Sequence, residues 1–308
     1  MVDHPSDVDI ASIRFTTVGS SLAGSVICPG DPRVNLNLTS MSFLEKILAR
    51  KRSEVADRSA QIPLDALKQT ISGLPRPRNF FNAVTTIARK PLNLIAEIKK
   101  ASPSAGVIRE DFDPVQIART YAGAGADAIS VLTDEPDFGG KLSYIQDVRQ
   151  AVELPVLRKD FIIDPYQVYE TRAAGADAIL LIAECLETSK MIDLQILATE
   201  LNMTCVIEVH DLDNLMRVRD QVIGFPHRSY SLLGINNRDL RTFKTDLGTT
   251  LRLSELVADR RVLISESGIE TRQDIQKLVD AGVTAVLIGE TLMRSDNIPA
   301  KIAELFAH

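Results

Sequence analysis

One hexapeptide occurs twice in this chain: Ala124-Gly125-Ala126-Asp127-Ala128-Ile129 returns unchanged as Ala174-Gly175-Ala176-Asp177-Ala178-Ile179, and a looser copy stands at Ala281-Gly282-Val283-Thr284-Ala285-Val286. Self-similarity of this kind marks a fold assembled from copies of one supersecondary unit. In each copy the Gly can enter the left-handed conformation that ends a helix, and the residues beyond it open an apolar run. The helix starts repeat as well. Asp113-Pro114-Val115-Gln116 and Asp164-Pro165-Tyr166-Gln167 each offer an N-cap, a Pro at the first helical position and a Gln placed for a capping box. The repeated unit is therefore a helix, a tight end and a buried strand.

Eight strands are readable on this basis, at about 94–98, 128–132, 155–158, 178–182, 204–209, 231–235, 261–265 and 284–288. They are continuous apolar runs, as parallel strands covered on both faces must be. Eight alternating units predict an α/β protein built as a closed (β/α)8 TIM barrel. The 308 residues exceed the roughly 250 of such a barrel, and the surplus lies ahead of the first strand. There Ser42-Phe43-Leu44-Glu45 reads as a capping box opening a helix to about Arg58. Phe43, Leu44, Ile47, Leu48 and Val55 share one face of it, and Glu45, Lys46, Arg50, Arg52 and Glu54 decorate the other. A second helical piece runs from Pro63 to Ser72, and a third, after the break Gly73-Leu74-Pro75-Arg76-Pro77, from about Phe80 to Ala88. The expected organisation is a flexible tail over 1–40 and a single barrel domain over 41–308 that includes N-terminal helices within 42–90.

Composition narrows the function classes. A net charge of -6 with interspersed signs and aromatics at 5% give neither the basic stripe nor the stacking platforms of a nucleic-acid binder. No apolar run approaches the ~18 residues of a membrane span. Cys28, Cys185 and Cys205, with His4, His210, His227 and His308, show no metal-type spacing, so reduced thiols and no metal are expected. The start lacks a secretory signal, and Asp3, Asp7 and Asp9 disfavour a transit peptide. A cytoplasmic location is the expectation.

Catalytic groups of a (β/α)8 barrel gather where its strands end, which turns the strand list into a site list. The first strand breaks into Glu97-Ile98-Lys99-Lys100-Ala101-Ser102-Pro103-Ser104. Alternation puts Glu97 and Lys99 on one face, and burying such charges unpaired costs several kcal/mol. They are either a structural ion pair or working groups. The second strand precedes Thr133-Asp134-Glu135-Pro136-Asp137-Phe138-Gly139-Gly140, whose Gly pair suggests a flexible flap. The others end in Arg158-Lys159-Asp160-Phe161, Glu208, Asn236-Asn237-Arg238-Asp239, Ser265-Glu266-Ser267-Gly268 and Gly289-Glu290. Singly each has a plain explanation, such as a Glu208–Lys159 bridge or a turn Asn at 236. Glycines after the seventh and eighth strands fit a phosphate site, where backbone N–H groups approach an anion closely.

Five of these segments resemble indole-3-glycerol phosphate synthase: Glu97–Ser104, Phe138-Gly139-Gly140, Lys159–Gln167, Gly234–Leu240 and Ile264–Ile269. The resemblance covers about residues 41–308, including the helical extension before the first strand. It implies that 1-(2-carboxyphenylamino)-1-deoxyribulose 5-phosphate closes to indole-3-glycerol phosphate with loss of carbon dioxide and water, a step of tryptophan biosynthesis that needs no metal or organic cofactor. By the same resemblance Lys159 is the general acid at the substrate ketone, a role a Lys fills near neutral pH only with a lowered pKa or assisted proton donation. Glu208 takes the acid–base work, with Glu97 and Glu266 tuning the lysines; Lys99 grips the substrate's charged groups; Asn236 and Arg238 meet its hydroxyls and carboxylate. Ser102, Pro103, Phe138 and Phe161 fall at substrate-binding positions, the last three lining a slot for the aromatic end. Ser267, Gly268, Gly289 and Glu290 surround the phosphate, Glu290 through its backbone because its carboxylate would repel the anion. The resemblance further implies a small phosphorylated substrate, no nucleic-acid or membrane partner and a monofunctional chain; association with other enzymes of the pathway is not readable from the sequence. Two other readings stand beside it, a phosphate-binding barrel isomerase and a silent scaffold that binds an anthranilate-like ligand. The isomerase would not need two lysines and three glutamates together, and a silent relative would be expected to have lost at least one of Glu97, Lys99, Lys159, Glu208, Asn236 and Glu266.

Overall fold

The computed structural model describes residues 41–86, 90–221 and 231–307, so the tail predicted over 1–40 lies outside the described residues, as do Ile87 and Ala88 at the expected end of the third helix. The strands are β1 (Asn93–Ile98), β2 (Ala128–Leu132), β3 (Val156–Lys159), β4 (Ala178–Ile182), β5 (Thr204–Val209), β6 (Ser231–Asn236), β7 (Leu263–Glu266) and β8 (Ala285–Ile288). Within the barrel all pairings are parallel and sequential, and β1 pairs with β8 to close it; outside it, Ala101–Ser102 and Gly106–Val107 form a short antiparallel pair. Every expected strand is present. The seventh starts later than expected because Arg260–Val262 form a 3-10 turn.

Strand alternation separates two cores. Leu94, Ile98, Ile129, Val131, Ile207 and Val286 face outward to the helix ring. Ile95, Leu157, Val206, Leu232, Ile264 and Leu287 fill the interior. Two residues beyond each of these inward groups stands the next inward position, which is Glu97, Lys159, Glu208, Gly234, Glu266 and Gly289. The barrel thus changes from hydrocarbon to charge within one layer of side chains.

The repeated hexapeptide has a physical reason. Gly125, Gly175 and Gly282 have φ of +87°, +91° and +76°, the left-handed helix ends that its pattern predicts. The Asp in each full copy then ties down the preceding strand: Asp127 accepts the N–H of Leu94 at 2.6 Å and Asp177 that of Val156 at 2.8 Å. The looser copy carries Thr284, whose hydroxyl donates to the Arg260 carbonyl. Of the paired helix starts, Asp164 and Gln167 form the full capping box. Asp113 accepts from Val115 and Gln116, but its helix shows no reciprocal Gln116 bond to the cap, a correction to the expected symmetry.

The three N-terminal helices run from the mouth of the barrel to its floor. Helix α1 (Phe43–Gln61) starts with the expected box, Ser42 and Glu45 each accepting the other's backbone N–H. Helix α2 (Leu64–Ser72) packs along Pro165–Ala173. Helix α3 (Phe80–Thr85) inserts Phe80, Phe81 and Val84 into the interior core, while the Asn93 amide at the foot of β1 donates to the Val84 carbonyl at 2.8 Å.

The amphipathic reading of α1 needs one correction. Its fully buried residues are Ile47 and Lys51, and the Lys51 ammonium lies 2.8 Å from both Asp134 and Asp160. Arg50 adds bonds to Asp134 at 2.9 Å and Asp137 at 2.6 Å. Asp160 is shared in turn with the wholly buried Arg158, at 2.9 Å, which also holds Glu170 at 2.9 Å. Burial would raise the Asp160 pKa, but Arg158 and Lys51 outweigh it and hold the carboxyl well below the ordinary range. Helix α1 is clamped to the ends of β2 and β3 by charge as well as by apolar contact.

Lys51→Met removes a cation from between two buried carboxylates and should lower the unfolding free energy by about 3 kcal/mol near neutral pH, the cost of an uncompensated buried charge. Because Asp160 is depressed in the folded state, its contribution is whole above the unfolded carboxylate pKa of about 4 and is lost as pH falls through the folded value. Urea unfolding should therefore show the gap between parent and variant narrowing on acidification. A loss under about 1 kcal/mol, the range of exposed ion pairs, independent of pH, would show that the cluster does not hold the helix.

Candidate active site

The strand ends open into a cavity of about 1000 Å³, counted out to the solvent at its mouth. Every residue singled out from the sequence reaches its wall: Glu97, Lys99, Lys159, Glu208, Asn236 and Glu266; Ser102, Pro103, Phe138, Phe161 and Arg238; and Ser267, Gly268, Gly289 and Glu290. Leu132, Leu180, Ile182 and Leu287 line it with hydrocarbon.

Lys159 is the hub. Its ammonium donates to Glu208 at 2.7 Å and lies 3.4 Å from Glu266. Burial disfavours its charge, yet Glu208, Glu266 and Glu97 more than compensate and raise its pKa. The lowered pKa contemplated for an acid at this position is therefore not what the site produces. The two carboxylates diverge. Burial works to neutralise both, but Lys159 and His210 hold Glu208 ionised, with a pKa lowered to about 2, whereas burial and the Glu208 charge push Glu266 well up. Lys159 favours the charge of one carboxylate; burial and that charge push its neighbour toward the protonated form. Carboxylates pushed apart in this way are the pattern of an acid–base site.

Glu97 pairs with Lys99 at 2.8 Å, so the charges that opened the sequence argument do face one another. Space for these carboxylates comes from glycine. A Cβ on Gly234 would stand 2.3 Å from Glu266 Oε1, and one on Gly289 2.2 Å from Glu97 Oε1. Gly139-Gly140, read as a flexible flap, is instead a fitted turn. Gly139 closes the helix Glu135–Phe138 at φ +63°, and the Gly140 N–H bonds to the Asp134 carbonyl at 2.9 Å.

At the opposite wall Ser267 and Gly268 both have positive φ, +67° and +70°. Arg238 spans three loops, donating to Ser104 and to Glu290, each at 2.9 Å. Glu290 also accepts from Arg294 at 3.0 Å, and although burial opposes it, the Arg294 bond with Arg238 and Lys99 holds its pKa low. The carboxylate is turned onto arginines. At the mouth, the Phe138 and Phe161 rings lie 6.4 Å apart, and Phe43 of α1 meets Phe243 edge-on at 5.1 Å. Phe243 holds φ +58°, an unusual conformation for a bulky residue and a mark of functional constraint.

A model of the indole-3-glycerol phosphate synthase family matches residues 44–305. Two similar relatives bear that name. The one from Rhodopirellula baltica is 46% identical over 267 residues, covering 87% of this chain and 100% of the relative. The one from Polaromonas naphthalenivorans is 47% identical over 269 residues, covering 86% and 98%. The chain belongs to the indole-3-glycerol phosphate synthase family. Among solved structures, the tryptophan synthase A-subunit of Pyrococcus furiosus aligns with a TM-score of 0.51 at 12% identity, over 72% of this chain and all of that one. The 3-hexulose-6-phosphate synthase of Salmonella typhimurium aligns at 0.54 and 13%, over 70% and 96%. These two similarities speak to the barrel alone.

Some of this family member's site residues escaped the sequence reading. Asn237 is buried: its amide donates to Ser265 Oγ and to the Glu266 and Ser267 carbonyls at 3.0–3.1 Å, and its oxygen accepts from Thr250. It fixes the turn carrying Glu266 and Ser267, and its place beside Asn236 was the available signal. Phe43 and Phe243 carried no signal, since each reads as an ordinary apolar residue. Gly234→Ala should drive the Glu266 carboxylate from its place and reduce turnover about a hundredfold, the typical cost of a misplacement of ~1 Å, with far-UV circular dichroism unchanged. Turnover within twofold of the parent would show that Glu266 tolerates the shift.

Proposed function

We propose that the chain is a cytoplasmic enzyme that converts the small phosphorylated substrate 1-(2-carboxyphenylamino)-1-deoxyribulose 5-phosphate to indole-3-glycerol phosphate, with the activity residing in residues 41–308. The observation that carries the assignment of roles is the Lys159–Glu208 contact of 2.7 Å in the wall of the cavity. Ring closure turns the substrate ketone oxygen into an alkoxide, a far stronger base than an amine. An ammonium held firmly protonated can therefore still donate as that charge develops. Lys159 is the donor in this reading. Glu208, kept ionised, takes the proton lost from the C1 methylene during dehydration, and Glu266 and Glu97 set the field around the two lysines.

Lys99 and Arg238 meet the substrate's carboxylate and hydroxyls together with Asn236, and Ser102, Pro103, Phe138 and Phe161 bracket its aromatic ring. The phosphate sits at the backbone of Ser267, Gly268, Gly289 and Glu290. The Glu290 side chain takes no part, which agrees with its engagement by Arg238 and Arg294. The isomerase alternative has no use for a second lysine beside three carboxylates.

The test is the appearance of indole fluorescence when the protein meets the substrate in the presence of chelator. Turnover is expected in the parent. In Lys159→Met it should fall by at least ~10²-fold, the usual contribution of a positioned acid, while a reduced substrate analogue still binds. Undiminished turnover in the variant would remove Lys159 from the acid role, and silence in the folded parent would sink the reaction itself.

A further inference from the structure

Behind Glu208, away from the cavity wall, a second charged pair continues the chain of groups. His210 follows Glu208 at the next inward position of the same strand direction, and its Nε2 lies 3.3 Å from Glu208 Oε1. Its Nδ1 lies 3.1 Å from Glu184 Oε2. Glu184 sits in the 3-10 turn Ala183–Cys185 after β4, held there by the His210 backbone N–H, which donates to its Oε1 at 3.1 Å. The side chains of Glu208 and His210 are 1% and 6% exposed, and that of Glu184 is 16% exposed. Lys159, Glu208, His210 and Glu184 thus form one file running from the reaction chamber toward solvent.

The reaction proposed above, on which this inference rests, gives such a file a task. The substrate carboxylate leaves as neutral carbon dioxide, its bonding electron pair returning to the ring. The ketone oxygen leaves as neutral water and must gain two protons. One is recovered from the C1 methylene, whose C–H electron pair becomes the new ring double bond. The second must come from solvent in every turnover. With a substrate seated over Lys159, the cavity mouth is a poor route for it.

We propose that Glu184 and His210 form a proton relay that resupplies Glu208 and Lys159 from solvent during turnover. An imidazole suits this role because it can release a proton from one nitrogen and take one up at the other. The contacts are close without being aligned: both ring nitrogens and Glu184 Oε2 are buried with no hydrogen-bond partner of good geometry. A ring placed so can alternate between the two carboxylates. Burial opposes charge on His210, but Glu184 and Glu208 outweigh both burial and the facing Lys159, so its pKa lies above the ordinary value. The adjacent Cys185 thiol is pushed up by burial, Glu184 and Glu208 and stays neutral, outside the relay. His210 and Glu184 touch no reacting atom and act through Glu208 as positioning and proton-supplying residues.

The experiment measures kcat and KM for His210→Gln and Glu184→Gln in the full chain, in water and in deuterium oxide. A relay predicts a fall in kcat of at least about tenfold, the lower part of the range for proton-transfer groups, with KM within twofold and a solvent isotope effect larger than the parent's. Unchanged kcat in both variants would overturn it. A lost kcat with the parent's isotope effect would also overturn it and leave a structural role. Should His210→Gln fail to fold, as thermal unfolding would show, the partly exposed Glu184 decides with the same readouts. Parent turnover in the same assay separates failure of the relay from failure of the proposed reaction.

Discussion

Lys159 lies among Glu208, Glu266 and Glu97, and the balance of those buried charges is the condition on which the rest of the site depends. One ammonium cannot neutralise three carboxylates. Lys99 answers Glu97, and burial with the Glu208 charge pushes Glu266 toward its neutral form, which leaves Glu208 as the ionised partner of Lys159. The barrel supplies the low dielectric that makes these choices sharp. It does so by alternation: Ile95, Leu157, Val206 and Ile264 are each followed two residues later by a charged group, so the charged layer rests directly on a dry one.

Much of this was legible because it follows from period and position. Continuous apolar runs gave the strands, left-handed glycines the helix ends, and the inward parity of Glu97 and Lys99 their facing pair. The role of Asp127 and Asp177 was not legible. A repeated Asp at a strand entrance announces its position but not that its carboxylate reaches across to the first N–H of the strand before it. The same holds for Lys51. Helical periodicity assigned Lys51 to neither face of α1, and nothing local to the segment says that it inserts between Asp134 and Asp160. Such a residue is legible only once its partners, more than eighty residues away in sequence, are folded into place. Whether Lys159 works through a lowered pKa or through assisted donation stayed open for a related reason, since sequence names the lysine but not the number of carboxylates around it.

The N-terminal helices give the barrel what its repeats cannot. Eight equal units leave both ends of the interior open, and α1 and α3 treat them differently. The floor receives Phe80, Phe81 and Val84, which seal it with hydrocarbon. The mouth receives a charged clamp and the edge-on contact of Phe43 with Phe243, leaving the chamber roofed but accessible. Asymmetry between the ends is thus imposed from outside the repeat.

Gly234 and Gly289 carry a consequence for how such a site can change. Each gives up its side-chain volume to a carboxylate from another strand, Glu266 in one case and Glu97 in the other. Glycine and glutamate are therefore two halves of one occupied space, although they are distant in the chain. Neither half can drift alone: a larger residue at the glycine evicts the carboxylate, and a shorter one at the glutamate leaves a void above the glycine. Replacing this chemistry therefore requires both positions of a pair to be rewritten together, a coupling that the loops above the barrel do not impose on one another through these glycines.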